Sequence, residues 1–276
     1  MGRPRRVGMV AMPALLGLAL LVTSCSPTEG GTPTAPAGMG EVTVFAASSL
    51  TDAFSKIGSE VEASGAGKIT YNFGGSQALV TQLSQGARAD VFASADARNM
   101  EAAVSAGVVE TGTQRVLLTN RLVVAVEPGG SAVATLEDLA KPGIKLVLAA
   151  DSVPAGNYSL QALDKLSENP RYGGDFKARV LANVVSREDN VRQVVAKVEL
   201  GEADAGIVYI TDARGGKVGT VAIPDEYNVI ARYMIAPVKD GSNPEGGRRF
   251  VEHVLSDEGQ QVLKDFGFGG TEEAGR

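Results

Sequence analysis

The chain has 276 residues, 44% of them hydrophobic and 21% charged, a balance that gives a globular protein one large or two modest cores and excludes disorder over most of its length. Its 26 Lys and Arg against 32 Asp and Glu give a formal net charge of −6, so a nucleic-acid-binding surface spread over the molecule is not expected. One His, one Cys and no Trp are too few for a Cys/His zinc site, a disulfide framework or a Cys–His nucleophile, unless His253 or Cys25 serves alone.

In chain order, Arg3, Arg5 and Arg6 precede an uncharged run over residues 9–22, which has the length of a signal-peptide core and is too short for a bilayer-spanning helix. The run ends in Val22-Thr23-Ser24-Cys25. Small residues just before a Cys resemble the processing signal of bacterial lipoproteins, in which the chain is cut ahead of the Cys and the thiol carries lipid. Such a cut removes 24 residues carrying three arginines and no acid, so the net charge passes from −6 to −9. Residues 26–40 (SPTEGGTPTAPAGMG) have no apolar periodicity and one charge; a flexible tether with ends roughly 20 Å apart is expected for 25–40.

From Glu41 onward, short β-branched runs alternate with amphipathic stretches. EVTVFA (41–46) predicts a strand, and Leu50, Phe54, Ile57 and Val61 then share one helical face at spacings of four, three and four. ITYNF (69–73) predicts a strand, 78–85 a helix and ADVFAS (89–94) a further strand. More strands are expected at 115–126, 145–149, 205–210, 217–223 and 229–238, and helices after Pro154, after Asn190, after the Asn243-Pro244 start signal and over 258–266. This alternation implies α/β architecture with mostly parallel sheets covered on both faces. About 230 ordered residues fit two lobes better than one core. The expected division is 41–124 plus 231–276 for the first lobe and 125–230 for the second, with 121–126 and 229–238 crossing between them.

Three loops between a strand and the next helix combine small residues with hydroxyls or free backbone N–H groups: Ala47-Ser48-Ser49-Leu50, Gly74-Gly75-Ser76-Gln77 and Val153-Pro154-Ala155-Gly156. In an open α/β sheet such loops lie at the carboxyl ends of strands, where ligands bind, and the following helix N-termini favour an anion. Two readings stay open for a single loop, a serine capping its own helix or a serine donating to a ligand. Three such loops in one body favour the second. His253, beside Val251 and Val254, reads as structural or surface, Asp189 and Asn190 as helix caps, and Arg248-Arg249 as a solvated helix face or a contact with membrane subunits.

The segments FAASSLTDAF (45–54), NFGGSQAL (72–79), ADVFASAD (89–96), VPAGNYS (153–159), DNVR (189–192) and GEADAGIVYITDA (201–213) together resemble the molybdate-binding proteins of bacterial ABC importers. The resemblance runs from about Glu41 to the GF pairs near Phe268. It implies a two-lobed periplasmic-binding-protein fold of type II, each lobe a mixed, mostly parallel sheet flanked by helices, with the ligand in the cleft. By the same resemblance the oxyanion-binding positions are Ser49, Ser76, Ala155, Val191 and Tyr209, none of them positively charged. Molybdenum enters only as its oxyanion, with no direct protein–metal ligand and no resident cofactor. Two glycines stand before Ser76 where the family is richer in hydroxyls, so no side-chain contact is expected from 74 or 75.

A buried dianion without counter-charge needs a shell of inward-pointing donors. Neutral donors suffice if there are enough: at about 1.5–3 kcal/mol per bond to a charged acceptor, roughly seven support sub-micromolar binding after association costs. No ligand position is Asp or Glu, so the proton of hydrogen phosphate meets no carboxylate and phosphate is expected to bind poorly. Molybdate and tungstate, nearly equal in size, are both expected ligands. The function implied is extracytoplasmic capture and delivery to the membrane subunits of an ABC importer by a monomer anchored through Cys25. A protein binding sulfate or another tetrahedral oxyanion on the same fold is the main rival; a serine hydrolase finds no GxSxG or SxxK motif.

Overall fold

In a computed structural model, which describes residues 38–129 and 132–271, the chain builds two five-stranded mixed sheets. The first half opens with β1 (Gly40–Ala47), the 3-10 turn Ser48–Leu50, α1 (Thr51–Ala63), β2 (Gly67–Gly74), α2 (Ser76–Ser84), β3 (Val91–Ser94), α3 (Ala97–Ser105) and β4 (Arg115–Asn120). The middle contains β5 (Leu122–Val126), the 3-10 turn Leu136–Ala140, β6 (Leu146–Ala149), α4 (Pro154–Glu168), α5 (Phe176–Ala182), β7 (Val184–Glu188), α6 (Val191–Glu199), β8 (Ala205–Tyr209) and β9 (Gly219–Ala222). The chain then returns through β10 (Ala231–Pro237), α7 (Pro244–Leu255) and α8 (Asp257–Asp265).

The strand orders are β2-β1-β3-β10-β4 and β7-β6-β8-β5-β9. In each sheet the first three strands are parallel, and one strand, β10 or β5, runs antiparallel to both its neighbours. That strand is in each case the one formed just after the chain has changed sheets. The carboxyl ends of β1, β2 and β3 and those of β6, β7 and β8 are therefore the two sets of strand ends at which ligand loops emerge.

Period-two burial explains how β1 serves two layers. Val42, Val44 and Ala46 pack with Phe54, Ile57 and Phe250 on one side, whereas Phe45 joins Leu79, Leu83, Phe92 and Met100 on the other. Leu50, Phe54, Ile57 and Val61 are all buried, as their spacing predicts, and each such side chain contributes about 1.5–3 kcal/mol of burial against its ordering entropy.

Three features depart from the sequence reading. The apolar run 115–126 is two strands in different sheets, broken at Arg121, so the change of sheet precedes the expected division at 124/125 and β5 belongs wholly to the second sheet. Both halves are apolar, and only the polar pair Asn120-Arg121 marks the break. The Asn120 Oδ1 accepts the Arg121 N–H (2.9 Å), and the Asn228 Oδ1 accepts the Leu122 N–H (2.9 Å), which satisfies the backbone where it leaves one ladder for the other. Secondly, α3, α5 and β7 form where no element was expected; α3 has a readable start, Asp96 accepting the Asn99 N–H, but α5 and the half-exposed β7 carry little periodicity. Thirdly, Met39 and Gly40 belong to the folded body: Met39 donates to the Ala66 carbonyl and Gly40 opens β1. The signal-peptide and lipidation readings, and most of the tether, fall outside the described residues.

Candidate functional site

The strand-end loops of both sheets meet around one small cavity. Its walls include Ser48 and Ser49 after β1, Gly74, Gly75 and Ser76 after β2, and Ala95 after β3; from the other sheet come Val153, Pro154 and Ala155 before α4, Val191 at the start of α6, and Tyr209 at the end of β8. All five residues expected to bind an oxyanion are thus brought together, and all are buried. Among the described residues that line it, none is charged.

How the helices begin decides between capping and ligand binding. The helices α3, α7 and α8 are each capped by the side chain of their N-cap residue: Asp96, Asn243 and Ser256 accept from the backbone three residues on. At the cavity, α2 starts from Gly75, α4 from Val153 and the first 3-10 turn from Ala47, none with a side-chain cap. The short α5, which does not line the cavity, is also uncapped. Ser76 occupies the first position of α2, one past its N-cap, so it does not cap the helix. The Ser76 and Gln77 N–H groups of α2 and the Ala155 and Gly156 N–H groups of α4 are placed to meet an anion, with the partial positive charge of each helix end behind them. The helix α6 combines both devices: Asn190 caps the Gln193 N–H, and Val191 opens the helix at the cavity wall. Asn190, and not Asp189, is the cap.

Glycine is required at two points. A Cβ on Gly156 would lie 2.2 Å from the Ala150 carbonyl oxygen, so only glycine lets α4 start this close to the end of β6. A Cβ on Gly75 would lie 2.3 Å from the Asp189 carbonyl oxygen, which belongs to the loop before α6 on the other side of the cleft. The glycine pair before Ser76 therefore permits close approach of the two halves.

Hydrogen bonding fixes which way the hydroxyls face. The Ser76 Oγ accepts the Ala95 N–H (3.1 Å), which leaves its own proton for the cavity. The Ser49 Oγ lies 2.8 Å from the hydroxyl of Tyr233, a fully buried residue of β10 that sequence reasoning did not single out. The Tyr209 hydroxyl is buried with no hydrogen-bond partner, and desolvation raises its pKa well above the usual phenol value, so it keeps a proton to donate. The same cause holds Tyr233 neutral.

Three further contacts bridge the cleft. Arg192 donates to the Ser48 carbonyl (3.0 Å) and pairs with Asp52 (2.6 Å), Arg98 donates to the Ser152 carbonyl (2.9 Å), and Gln77 donates to the Asp189 carbonyl (3.1 Å). Both arginines beside the ligand loops, Arg98 and Arg192, are thus engaged with protein acceptors. His253 is a half-buried residue of α7, and Arg248 and Arg249 share Glu245 on an exposed helix face, an arrangement of little energetic weight.

Fold and site define an α/β binding protein of two lobes, whose strand-end loops surround one small uncharged cavity. Within that class the chain belongs to the bacterial extracellular solute-binding proteins, whose family profile matches residues 42–269. It is 35% identical over 266 residues to the molybdate-binding protein ModA of Mycobacterium tuberculosis, covering 95% of this chain and 96% of that one. It is 34% identical over 260 residues to the putative ABC transporter substrate-binding lipoprotein YvgL of Bacillus subtilis, covering 92% and 95%. The solved periplasmic molybdate-binding protein of Azotobacter vinelandii superposes with a TM-score of 0.70 at 18% identity, over 82% of this chain and 98% of that one. The fold is the type II periplasmic-binding-protein fold expected from the sequence.

Proposed function

We propose that this protein captures molybdate, and tungstate with it, outside the cytoplasm and delivers it to the membrane subunits of an ABC importer. The observation that carries this reading is the convergence of Ser49, Ser76, Ala155, Val191 and Tyr209 on one small uncharged cavity, lined by uncapped helix starts and by serine and tyrosine hydroxyls. The relatives named for molybdate binding support the choice of ion. Ser49 and Ser76 donate from one lobe, the Ala155 and Val191 N–H groups and the Tyr209 hydroxyl from the other, so the ion ties the lobes together and favours the closed form by its differential affinity. In this reading the protein binds its ion without catalysis, in keeping with the solute-binding family to which it belongs.

In the same reading, residues 1–24 are a signal peptide, Cys25 carries the lipid and the following residues tether a monomeric body to the membrane. The lobes divide at the two changes of sheet, near Arg121 and between β9 and β10. The similarity to a substrate-binding lipoprotein supports the anchor. Isothermal titration of a soluble form starting at Ser26 with molybdate, tungstate, sulfate and phosphate tests the ligand. Tight one-to-one binding of the first two is expected, with sulfate about a hundredfold weaker because its shorter bonds leave donors out of reach. Binding of sulfate alone would overturn the ion and keep the fold; no binding by any of the four would overturn the function.

A further inference from the structure

A serine hydroxyl can donate to an oxyanion or accept from a protonated one, and nothing in the residue itself chooses. The surroundings choose. For Ser76 the choice is made by the Ala95 N–H, which occupies an acceptor position on Oγ. For Ser49 the partner is the Tyr233 hydroxyl at 2.8 Å, a bond in which either atom has a proton to give, so its direction depends on what else Tyr233 touches.

Tyr233 stands in β10, two residues after Ala231, which pairs with Asn120, the last residue of β4 before the chain changes sheet. Asn120 donates through Nδ2 to Thr211 Oγ1 (2.8 Å), while its Oδ1 accepts the Arg121 N–H (2.9 Å). Among the described residues, the hydrogen bond of the Tyr233 hydroxyl is the one to Ser49. A fully buried phenol proton without an acceptor is costly, so Tyr233 donates and Ser49 Oγ accepts. The ring is fixed by edge contacts with Tyr209 (centroids 5.6 Å apart) and Phe268 (5.9 Å), so the hydroxyl has little freedom to turn away.

We infer that Tyr233 is a positioning and specificity-determining residue: by donating to Ser49 Oγ it commits the Ser49 proton to the ligand and makes the site reject oxyanions that carry a proton of their own. This rests on the oxyanion-binding reading above. To accept a proton from hydrogen phosphate, Ser49 would have to turn its own proton against that of Tyr233 or into a buried position without an acceptor. Molybdate, tungstate and sulfate ask for donors alone and meet no such conflict. Discrimination against phosphate is thus built by a residue that lines no part of the cavity, on the strand by which the chain re-enters the first sheet.

The test is a set of titrations on the full-length chain at neutral pH with molybdate, and with phosphate as a competitor, after thermal melting has established that each variant folds. Tyr233→Phe keeps the ring and removes only the hydroxyl. Its molybdate affinity is expected to fall about tenfold while phosphate changes by less than about threefold, narrowing the ratio between them. Ser49→Ala and Tyr233→Phe combined are expected to cost no more than Ser49→Ala alone, whereas Ser76→Ala and Tyr233→Phe add. If Tyr233→Phe does not fold, proton NMR of the parent chain serves instead: a slowly exchanging Tyr233 hydroxyl proton that persists when molybdate binds is expected, and a rapidly exchanging one would overturn its donation to Ser49. Equal losses for both anions, or additivity with Ser49→Ala, would overturn the role of Tyr233 and leave the oxyanion reading standing. If Ser49→Ala and Ser76→Ala both left molybdate affinity untouched, that reading would fall instead.

Discussion

In the proposed site the two lobes contribute to one cavity by different chemistry. The first would offer side chains, Ser49 and Ser76, on a 3-10 turn and at the first position of α2. The second would offer mainly backbone, the N–H groups of Ala155 and Val191 in the first turns of α4 and α6, with Tyr209 as its one hydroxyl. A substitution can delete a side-chain donor outright, whereas a backbone donor survives every replacement except proline. The same function is therefore fragile to ordinary mutation on one side of the cleft and robust on the other.

The largest effect is expected where neither lobe can compensate. Gly75→Ala sets a methyl group against the Asp189 carbonyl and keeps the lobes apart, so molybdate affinity should fall by at least about a hundredfold with the melting temperature nearly unchanged. Unchanged affinity in titration would show that the two loops need not approach this closely. Next comes Val191→Pro. The first helical position tolerates proline, and Asn190 already has the extended backbone (φ −159°, ψ 165°) that a residue before proline needs. The variant should lose one N–H donor, weakening binding about 10- to 100-fold while the fold survives; Val191→Ala, which keeps the N–H, should bind within about threefold of the parent. Equal losses for the two would mean that the Val191 side chain matters and its backbone does not. Ser76→Ala should cost about tenfold in affinity and also lower stability, by about 1 kcal/mol, because the Ala95 N–H loses its acceptor.

A smaller contrast between the lobes is electrostatic. Asp212, three residues past Tyr209, has both carboxylate oxygens buried without hydrogen-bond partners, and desolvation raises its pKa from 3.8 to about 7. Between those values the folded chain holds a proton that the unfolded chain has released. Asp212 therefore makes stability fall as the pH rises from about 4 to about 7 and level off above. Asp212→Asn should flatten this slope and raise the melting temperature by a few degrees on the alkaline side. A slope identical to the parent's would show that Asp212 is not the group that titrates.

The sequence made the fold legible because its signals are local. The Leu50, Phe54, Ile57 and Val61 face, the Asn243-Pro244 start and the β-branched runs each carry their own period or cap. The break at Arg121 was not legible, since both sides of it satisfy the same strand pattern and only long-range pairing distinguishes the sheets. The site divides in the same way. Ser49, Ser76, Ala155, Val191 and Tyr209 stand in strand-end motifs and were identified from the chain alone, by resemblance. Tyr233 and the clasp of Arg192 on Ser48 were not, because their partners lie 184 and 144 residues away and neither residue type announces such a role. The two readings left open for a strand-end serine were separated only by the absence of side-chain caps on α2 and α4.

A cavity with no charged wall also governs how fast it fills. A receptor that holds its ion with arginine attracts that ion from a distance; this one carries a net charge of −6 and presents a dianion with repulsion until the two are in contact. With a Debye length of about 10 Å at 0.1 M ionic strength, added salt should therefore speed association, the reverse of ordinary electrostatic steering, while the buried dissociation step responds little. Stopped-flow traces at rising ionic strength would show this as a growing on-rate at nearly constant off-rate.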